Sequence, residues 1–531
     1  MTEEALADLE RMDLVARVWA RDHTAWKPDP TEIADRLGWL DVARAMQANV
    51  PDLQAFAEEA RSEGIRHVVL LGMGGSSLGP EVVRQTFGSA SGYPELIVLD
   101  STVPDTVMAV TREIDTATTL FSVSSKSGTT TEPLALYAHF RALVESAVGA
   151  ENAGRNFFAI TDAGTPLEAM ARDNGFRRAF LNPADIGGRY SVLSYFGLAP
   201  SALTGLDVAK LLDRAAGMMD ACGPNVPVRE NPAALLGAAM AGHATQGRDK
   251  LTLVTSPSIA AFGLWAEQLI AESLGKEGRG KGPVAGEPRL DPAYSGDDRL
   301  FVHLRLDGDG DDAEDAAIDA IETAGLPVVR LELRDRYDLG AEFFRWELAT
   351  AIAGAVLGIH PFDQPNVQQA KDQTLLVLDE CNRLGSLPDV EAPGSLAGLL
   401  STARKGDYLS IMAYVRQTPE TDNALNALRR SVAERWGIAT TLGYGPRYLH
   451  STGQVHKGGP DTGIYLLLTA EPAEDAPVPG ESFSFGTLAE AQALGDLRAL
   501  QALGRRVARI HLPSADAASL GKLAAESPAS V

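Results

Sequence analysis

Cysteine is nearly missing from this chain: Cys222 and Cys381 are the two present among 531 residues. They lie far apart and match no metal-ligand spacing, so neither a disulfide framework nor a thiolate metal cluster is available, and a reducing compartment suits them. Positive charge is also short. The 47 lysines and arginines face 71 aspartates and glutamates, a net charge of −24. A surface of that sign repels nucleic acid and gives an anionic substrate no long-range steering, so any phosphate must be held by local donors. Long apolar runs are lacking too. The longest, near Ala349–Ile359, is too short to cross a bilayer. The opening MTEEALADLERMD is acidic and amphipathic, unlike a signal peptide. These absences predict a cytoplasmic protein with no membrane and no nucleic-acid partner.

The rest of the composition is ordinary for a globular chain, 45% apolar and 22% charged, and the length suffices for three or four domains. Residues 1–60 read as helical, with Trp19, Trp26 and Trp39 pinning the segment onto the body. Short apolar runs then alternate with helical patterns. Strands are predicted at Arg66–Gly72, Leu96–Leu99, Thr119–Ser124, Asn156–Ile160 and Arg178–Leu181. A second series follows at Lys250–Ser256, Arg299–Leu306 and Leu326–Leu333, with long helices at 259–274, 339–358 and 364–382. A Pro/Gly-rich break, Gly385–Gly394, precedes a third section with strands near Tyr408–Val415, Ile438–Tyr444, Gly463–Thr469 and Arg505–His511. Such alternation predicts an α/β fold, parallel sheets with helices on both faces, whose ligands bind at the carboxyl ends of strands.

One of those ends carries the strongest chemical signal. Residues 121–132 read FSVSSKSGTTTE, an apolar β run breaking into small hydroxyl residues before a helix. Free N–H groups at a helix start, with hydroxyls and an ammonium beside them, make a pocket for a phosphate monoester. An ordinary Ser/Thr N-cap needs one hydroxyl; this loop has six, with Lys126 and Gly128.

A second loop, Gly72-Met73-Gly74-Gly75-Ser76-Ser77-Leu78-Gly79-Pro80, has Ser77 where a dinucleotide fingerprint needs glycine. Gly74 and Gly75 are expected to let backbone approach a ligand, with Ser76 supplying a hydroxyl. Gly275–Gly282 nearly matches a nucleotide phosphate loop but ends in glycine and follows a helix, and Asp307–Asp312 lacks the calcium-loop glycine; neither is read as a site. Gly187-Gly188-Arg189-Tyr190-Ser191 suits a cation held against an anion, or a structural arginine. Glu272 ends an apolar helix and is a candidate general base of raised pKa, or an exposed last-turn glutamate. Phe362-Asp363-Gln364 opens a helix carrying Lys371 on the side of Gln364 and Gln368. His450 and His456 lie in a Gly/Ser/Thr-rich stretch with too few ligands for a metal, leaving catalysis or loop packing.

Together these stretches resemble the phosphoglucose isomerase family: Gly74-Gly75-Ser76, Ser125-Lys126-Ser127-Gly128-Thr129-Thr130, Gly188-Arg189-Tyr190-Ser191, Glu272-Ser273-Leu274-Gly275-Lys276, and Phe362-Asp363-Gln364 with Lys371 stand in the family's order over residues 65–385. The resemblance implies two flavodoxin-like sugar-isomerase (SIS) domains, at 61–225 and 226–390, after an N-terminal helical segment at 1–60. It implies glucose 6-phosphate/fructose 6-phosphate interconversion through a cis-enediol, in glycolysis and gluconeogenesis, with no cofactor and no metal. Gly75, Ser76, Ser125, Ser127 and Thr130 would hold the phosphate with Lys126 beside them, and Gln364 would support that end. Glu272 would be the base, Arg189 would stabilise the enediolate, and Lys371 would assist ring opening. The family's ring-opening histidine normally lies between the glutamate and the lysine, where this chain has only His303 and His360. His450-Ser451-Thr452-Gly453-Gln454 matches that segment, which implies its relocation into residues 391–531, a C-terminal α/β section completing the second domain in permuted order; His360 is the fallback. The layout also resembles the isomerase half of bifunctional transaldolase/phosphoglucose isomerase proteins, with no transaldolase activity implied, and family members are commonly homodimers. Action on mannose 6-phosphate as well, or a non-catalytic SIS-type sugar-phosphate sensor, are the alternatives.

Overall fold

A computed structural model describes residues 2–288, 291–310, 312–388, 390 and 394–525. Part of the Gly385–Gly394 break therefore lies outside the described residues. Among the described residues thirteen strands form three wholly parallel sheets. The first contains β1 (His67–Gly72), β2 (Glu95–Leu99), β3 (Thr119–Ser124), β4 (Phe157–Asp162) and β5 (Arg178–Asn182), in the order β2-β1-β3-β4-β5. The second contains β6 (Lys250–Thr255), β7 (Gly282–Ala285), β8 (Arg299–Leu306) and β9 (Val328–Leu333), ordered β7-β6-β8-β9. The third contains β10 (Tyr408–Tyr414), β11 (Ala439–Tyr444), β12 (Gly463–Ala470) and β13 (Arg506–Leu512), ordered β11-β10-β12-β13. The α/β reading stands, with strands within a residue or two of their expected bounds. The C-terminal strands make a sheet of their own and add none to the second sheet.

β7 is the strand the sequence conceals. Gly-Pro-Val-Ala is too short to show alternation, and Pro283 lacks a ladder N–H, a defect tolerated because β7 is an edge. β7 and β11 lie edge to edge. Arg429 spans them, donating to the carbonyls of Ala285 and Gly286 at 3.0 and 2.7 Å and to that of Thr440 at 2.8 Å. The Thr440 N–H donates to Glu287 at 3.2 Å. Side chains thus replace a backbone ladder across the seam.

The N-terminal tryptophans do pin their segment down. Trp19 donates to the Cys222 carbonyl at 2.8 Å and Trp26 to that of Ala351 at 2.7 Å. Trp39 stacks on Tyr190 with ring centroids 5.2 Å apart, so this segment backs directly onto the Arg189 loop.

The helix Leu339–Leu357 is buried on nearly every side and carries Glu347, fully buried with no hydrogen-bond partner for either carboxylate oxygen among the described residues. Burial pushes this carboxyl far above the usual carboxylate range, so it folds protonated. The unfolded chain releases that proton above the ordinary value of 4.5. Stability from this group is therefore full below that pH and declines as pH rises, by about 1.4 kcal/mol per unit. Glu347→Gln should flatten the fall in Tm between pH 5 and 7, measured by thermal melts across that range; an unchanged slope would mean Glu347 folds ionised.

Candidate active site

At the carboxyl ends of β1 and β3, Gly72 pairs with Ser124. This is where the strand order of the first sheet reverses, the position at which open α/β sheets take ligands. Two loops leave from it: a single 3-10 turn, Gly74–Ser76, and the hydroxyl-rich Ser125–Thr130, which leads into the helix Thr131–Val148.

The hydroxyls of the second loop organise one another. Ser125 Oγ and Thr130 Oγ1 are 2.9 Å apart, as are Ser127 Oγ and Thr129 Oγ1, and the Gly128 N–H donates to Ser125 Oγ at 3.1 Å. Gly128 turns the chain at φ 68°, where a Cβ would sit 2.8 Å from the Leu167 nitrogen, so the turn requires glycine. Thr130 stands at the N-cap, but its side chain caps nothing. The simple-cap explanation therefore fails; Pro133 has no N–H and the Leu134 N–H donates to the Thr130 carbonyl at 3.4 Å, so Thr131 and Glu132 carry the N–H groups at the helix start. The start of that helix borders a cavity of about 240 Å³ walled also by Ser127, Lys371, His450 and Gln492.

His450 reaches this cavity from the C-terminal section, on a short turn Arg447–His450 after β11. Its Nε2 is 2.8 Å from Glu132 Oε1. Glu132, in the first turn of the helix, is 5% exposed. Burial would raise its pKa, but the charge and hydrogen bond of His450, with Lys371 nearby, outweigh burial and hold it below the ordinary value. An ionised Glu132 thus faces Nε2, which carries a proton, leaving Nδ1 as the ring nitrogen not committed to Glu132.

A second cluster gathers around Glu272, in the last turn of the helix Phe262–Leu274. It is buried, 6% exposed, so the exposed-glutamate alternative fails. Burial pushes its carboxyl up, and Arg189 beside it limits the rise, with Nη1 3.1 Å from Oε2. Arg189 donates through Nε to Ser273 at 2.8 Å, through Nη1 also to Gln364 Oε1 at 2.7 Å, and through Nη2 to the carbonyls of Pro361 and Asp363 at 2.6 and 2.9 Å. These bonds match the five N–H donors of a guanidinium. Arg189 is therefore a fixed positive charge. Lys276 braces the same turn, donating to the Asp363 carbonyl and carboxylate at 2.6 Å each. Burial drives its pKa down to about 7, with Arg189 adding and Asp363 opposing.

Gln268 joins the two clusters. One turn before Glu272, its Nε2 donates to Glu272 Oε1 at 3.3 Å and to the His450 carbonyl at 2.8 Å. Ser127, Thr130, Lys371 and His450 therefore share one cavity, and Arg189, Glu272 and Gln364 one cluster beside it, with Ser125 and Ser76 on the two loops between.

Several expected positions differ. The Lys126 ammonium pairs with Asp162 and donates to the Ala184 carbonyl at 2.9 Å, so the loop's ammonium is spent on neighbouring protein groups. Gln364 is bound to Arg189 and not to the hydroxyl loop. The space at Gly74 and Gly75 is filled by protein: a Cβ on Gly75 would meet the Gly188 carbonyl at 2.0 Å, and one on Gly74 the His450 carbonyl at 2.7 Å. These glycines let three loops pack together. His360 Nδ1 accepts from the N–H groups of Phe362 and Asp363 at 3.1 and 3.3 Å, and its Nε2 contacts the Thr31 carbonyl at 3.1 Å, so it shapes the turn before Gln364. His456 is buried against Ser410. Glu132, Gln268 and Gln492 were not singled out from sequence. An acid directly after the hydroxyl run was the one available signal, and only for Glu132.

Comparison with known proteins places the chain in a family. The family model described as phosphoglucose isomerase matches residues 41–285. Glucose-6-phosphate isomerase of Mycoplasmopsis pulmonis is 30% identical over 391 residues, spanning 65% of this chain and 90% of the relative. That of Staphylococcus aureus strain NCTC 8325 is 29% identical over 391 residues, spanning 65% and 87%. Among solved structures, hypothetical protein TT0462 from Thermus thermophilus superposes with a TM-score of 0.63 at 25% identity, covering 71% of this chain and 97% of its own. A glucose-6-phosphate isomerase from Chlamydia trachomatis shares the fold with a TM-score of 0.54 at 22% identity, covering 71% and 79%. The chain belongs to the phosphoglucose isomerase family.

Proposed function

We propose that this chain interconverts glucose 6-phosphate and fructose 6-phosphate by proton transfer between C1 and C2, a step of glycolysis and gluconeogenesis, and that it does so in the cytoplasm, where phosphorylated hexoses reside. The observation that carries the reading is the pairing of a buried carboxylate of raised pKa, Glu272, with the fixed charge of Arg189, 3.1 Å away and linked through Gln268 to a cavity whose wall is a hydroxyl-rich helix start.

In this reading the loop Ser125–Thr130 and the first-turn N–H groups hold the phosphate, with Ser76 completing the site. Binding energy at that unreactive end is spent on orienting C1 and C2. His450, backed by the Glu132 carboxylate, donates a proton to the ring oxygen as the C1–O5 bond breaks and the O1 hydroxyl releases its proton to solvent, while Lys371 draws charge from the same region. Glu272 then takes the proton from C2 as the C1 carbonyl becomes the enediolate oxygen, and returns it to C1 while the O2 hydroxyl proton passes to O1, leaving the C2 ketone. Negative charge grows on the enediolate as the proton leaves, and Arg189 stabilises it as a preorganised charge, since its own donors are occupied. We expect the homodimer common in the family; His450 borders the cavity from its own chain.

A coupled assay for glucose 6-phosphate formed from fructose 6-phosphate should show turnover by the wild type. Tight binding of the hexose phosphate without turnover would replace the isomerase with a sensor.

A further inference from the structure

The helix Phe485–Ala502 lies in the C-terminal section, outside the residues matched by the family model. It touches Glu132 and the segment that carries His450. Gln492 Nε2 donates to Glu132 Oε1 at 2.7 Å, the same oxygen that His450 Nε2 approaches. The Gln492 amide is held at its other end by Thr102, whose hydroxyl donates to Gln492 Oε1 at 2.6 Å. One turn along the helix, Asp496 binds the segment that carries His450: Tyr448 donates to its Oδ2 at 2.9 Å, and Lys457 pairs with its Oδ1 at 2.5 Å with both side chains fully buried.

We infer that Gln492 is a positioning residue for ring opening, fixing Glu132 as an ionised acceptor for His450, and that the helix bearing it gauges the separation of the two. Three observations support the assignment. The bond is sheltered, with Thr102, Gln492 and Glu132 at 0, 3 and 5% exposure, so a lost donor leaves a largely buried carboxylate oxygen one partner short. The amide is oriented, because the Thr102 hydroxyl occupies its oxygen and leaves the NH₂ for the carboxylate. Gln492 and Asp496, four residues apart, share a helix face, so one rigid element sets both ends of the pair. This inference rests on the isomerase reading; it adds that the C-terminal section supplies the brace as well as the histidine.

The test uses the full chain and two substrates, closed-ring glucose 6-phosphate and an acyclic analogue that cannot close. Gln492→Leu should lower closed-ring turnover about ten-fold, the scale of one buried hydrogen bond to a charged group, and leave the acyclic analogue within about two-fold. The carboxylate that loses a donor protonates at higher pH, so the acid limb of the closed-ring profile should move up. Thr102→Val keeps Gln492 but frees its amide to turn, and should show the same selective loss, about three-fold. A folded Gln492→Leu with unchanged closed-ring turnover and pH profile, or with equal losses on both substrates, overturns the inference. Should Gln492→Leu fail to fold, Thr102→Val decides by the same criteria. A His450→Ala variant run alongside separates the two levels. A selective closed-ring loss there with none at Gln492 sinks only this inference; no selective loss at His450 sinks the ring-opening assignment beneath it.

Discussion

Glu272→Gln lowers kcat for fructose 6-phosphate by about three orders of magnitude, the scale of a positioned general base, while KM moves little. Glutamine keeps the shape and can still accept from Arg189, so substrate binding and the fold survive. What is lost is the ability to take the transferred proton, which sits on C1 of fructose 6-phosphate and on C2 of glucose 6-phosphate. The wild-type profile carries the same signature. A base must be ionised, and burial raises the Glu272 pKa above the ordinary 4.5. Activity therefore falls on the acid side through a limb at higher pH than an exposed glutamate would give. Steady-state kinetics in the coupled assay measure both effects. A loss smaller than ten-fold would remove Glu272 from the role of base.

His450→Ala has the next largest effect and a more selective one. Turnover of closed-ring glucose 6-phosphate should fall by about two orders of magnitude, as for loss of a general acid. An acyclic analogue bypasses ring opening and should keep most of its rate. Alanine also leaves the buried Glu132 carboxylate facing Lys371 and Gln492 without its imidazole, which raises the carboxyl pKa. Glu132→Gln should therefore reproduce the selectivity in weaker form. Equal losses on both substrates would assign His450 to shaping the pocket.

The sheets and the titratable side chains that gather at the candidate site were legible in the sequence because each is written locally. Alternating runs located twelve of the thirteen strands, and β7 escaped only because Gly282-Pro283-Val284-Ala285 carries no pattern. Glu272, Arg189 and His450 stood out because each is a charged or titratable residue beside glycines or at the end of an apolar element, and Lys371 because it follows Phe362-Asp363-Gln364 on one helix face. The residues that tune them were hidden for the opposite reason. Gln268 looks like any polar position on a helix, and Gln492 meets Glu132 across 360 residues of chain. Lys126 misled because its partner Asp162, supplied by β4, cannot be guessed from the loop. Gly75 misled in kind: glycine announces a close approach, and what approaches is the Gly188 carbonyl.

The seam between β7 and β11 ties integrity to chemistry. An unpaired parallel edge is a template for aggregation unless something covers it. Here Arg429 and the Thr440 N–H cover the end of β7 from the third sheet. A chain ending near Gly385 would keep Glu272, Arg189 and Lys371. It would nonetheless lose its histidine and bare an adhesive strand in the same cut. Selection against sticky fragments and selection for turnover thus act on one joint, and the C-terminal third cannot drift away as a dispensable appendage.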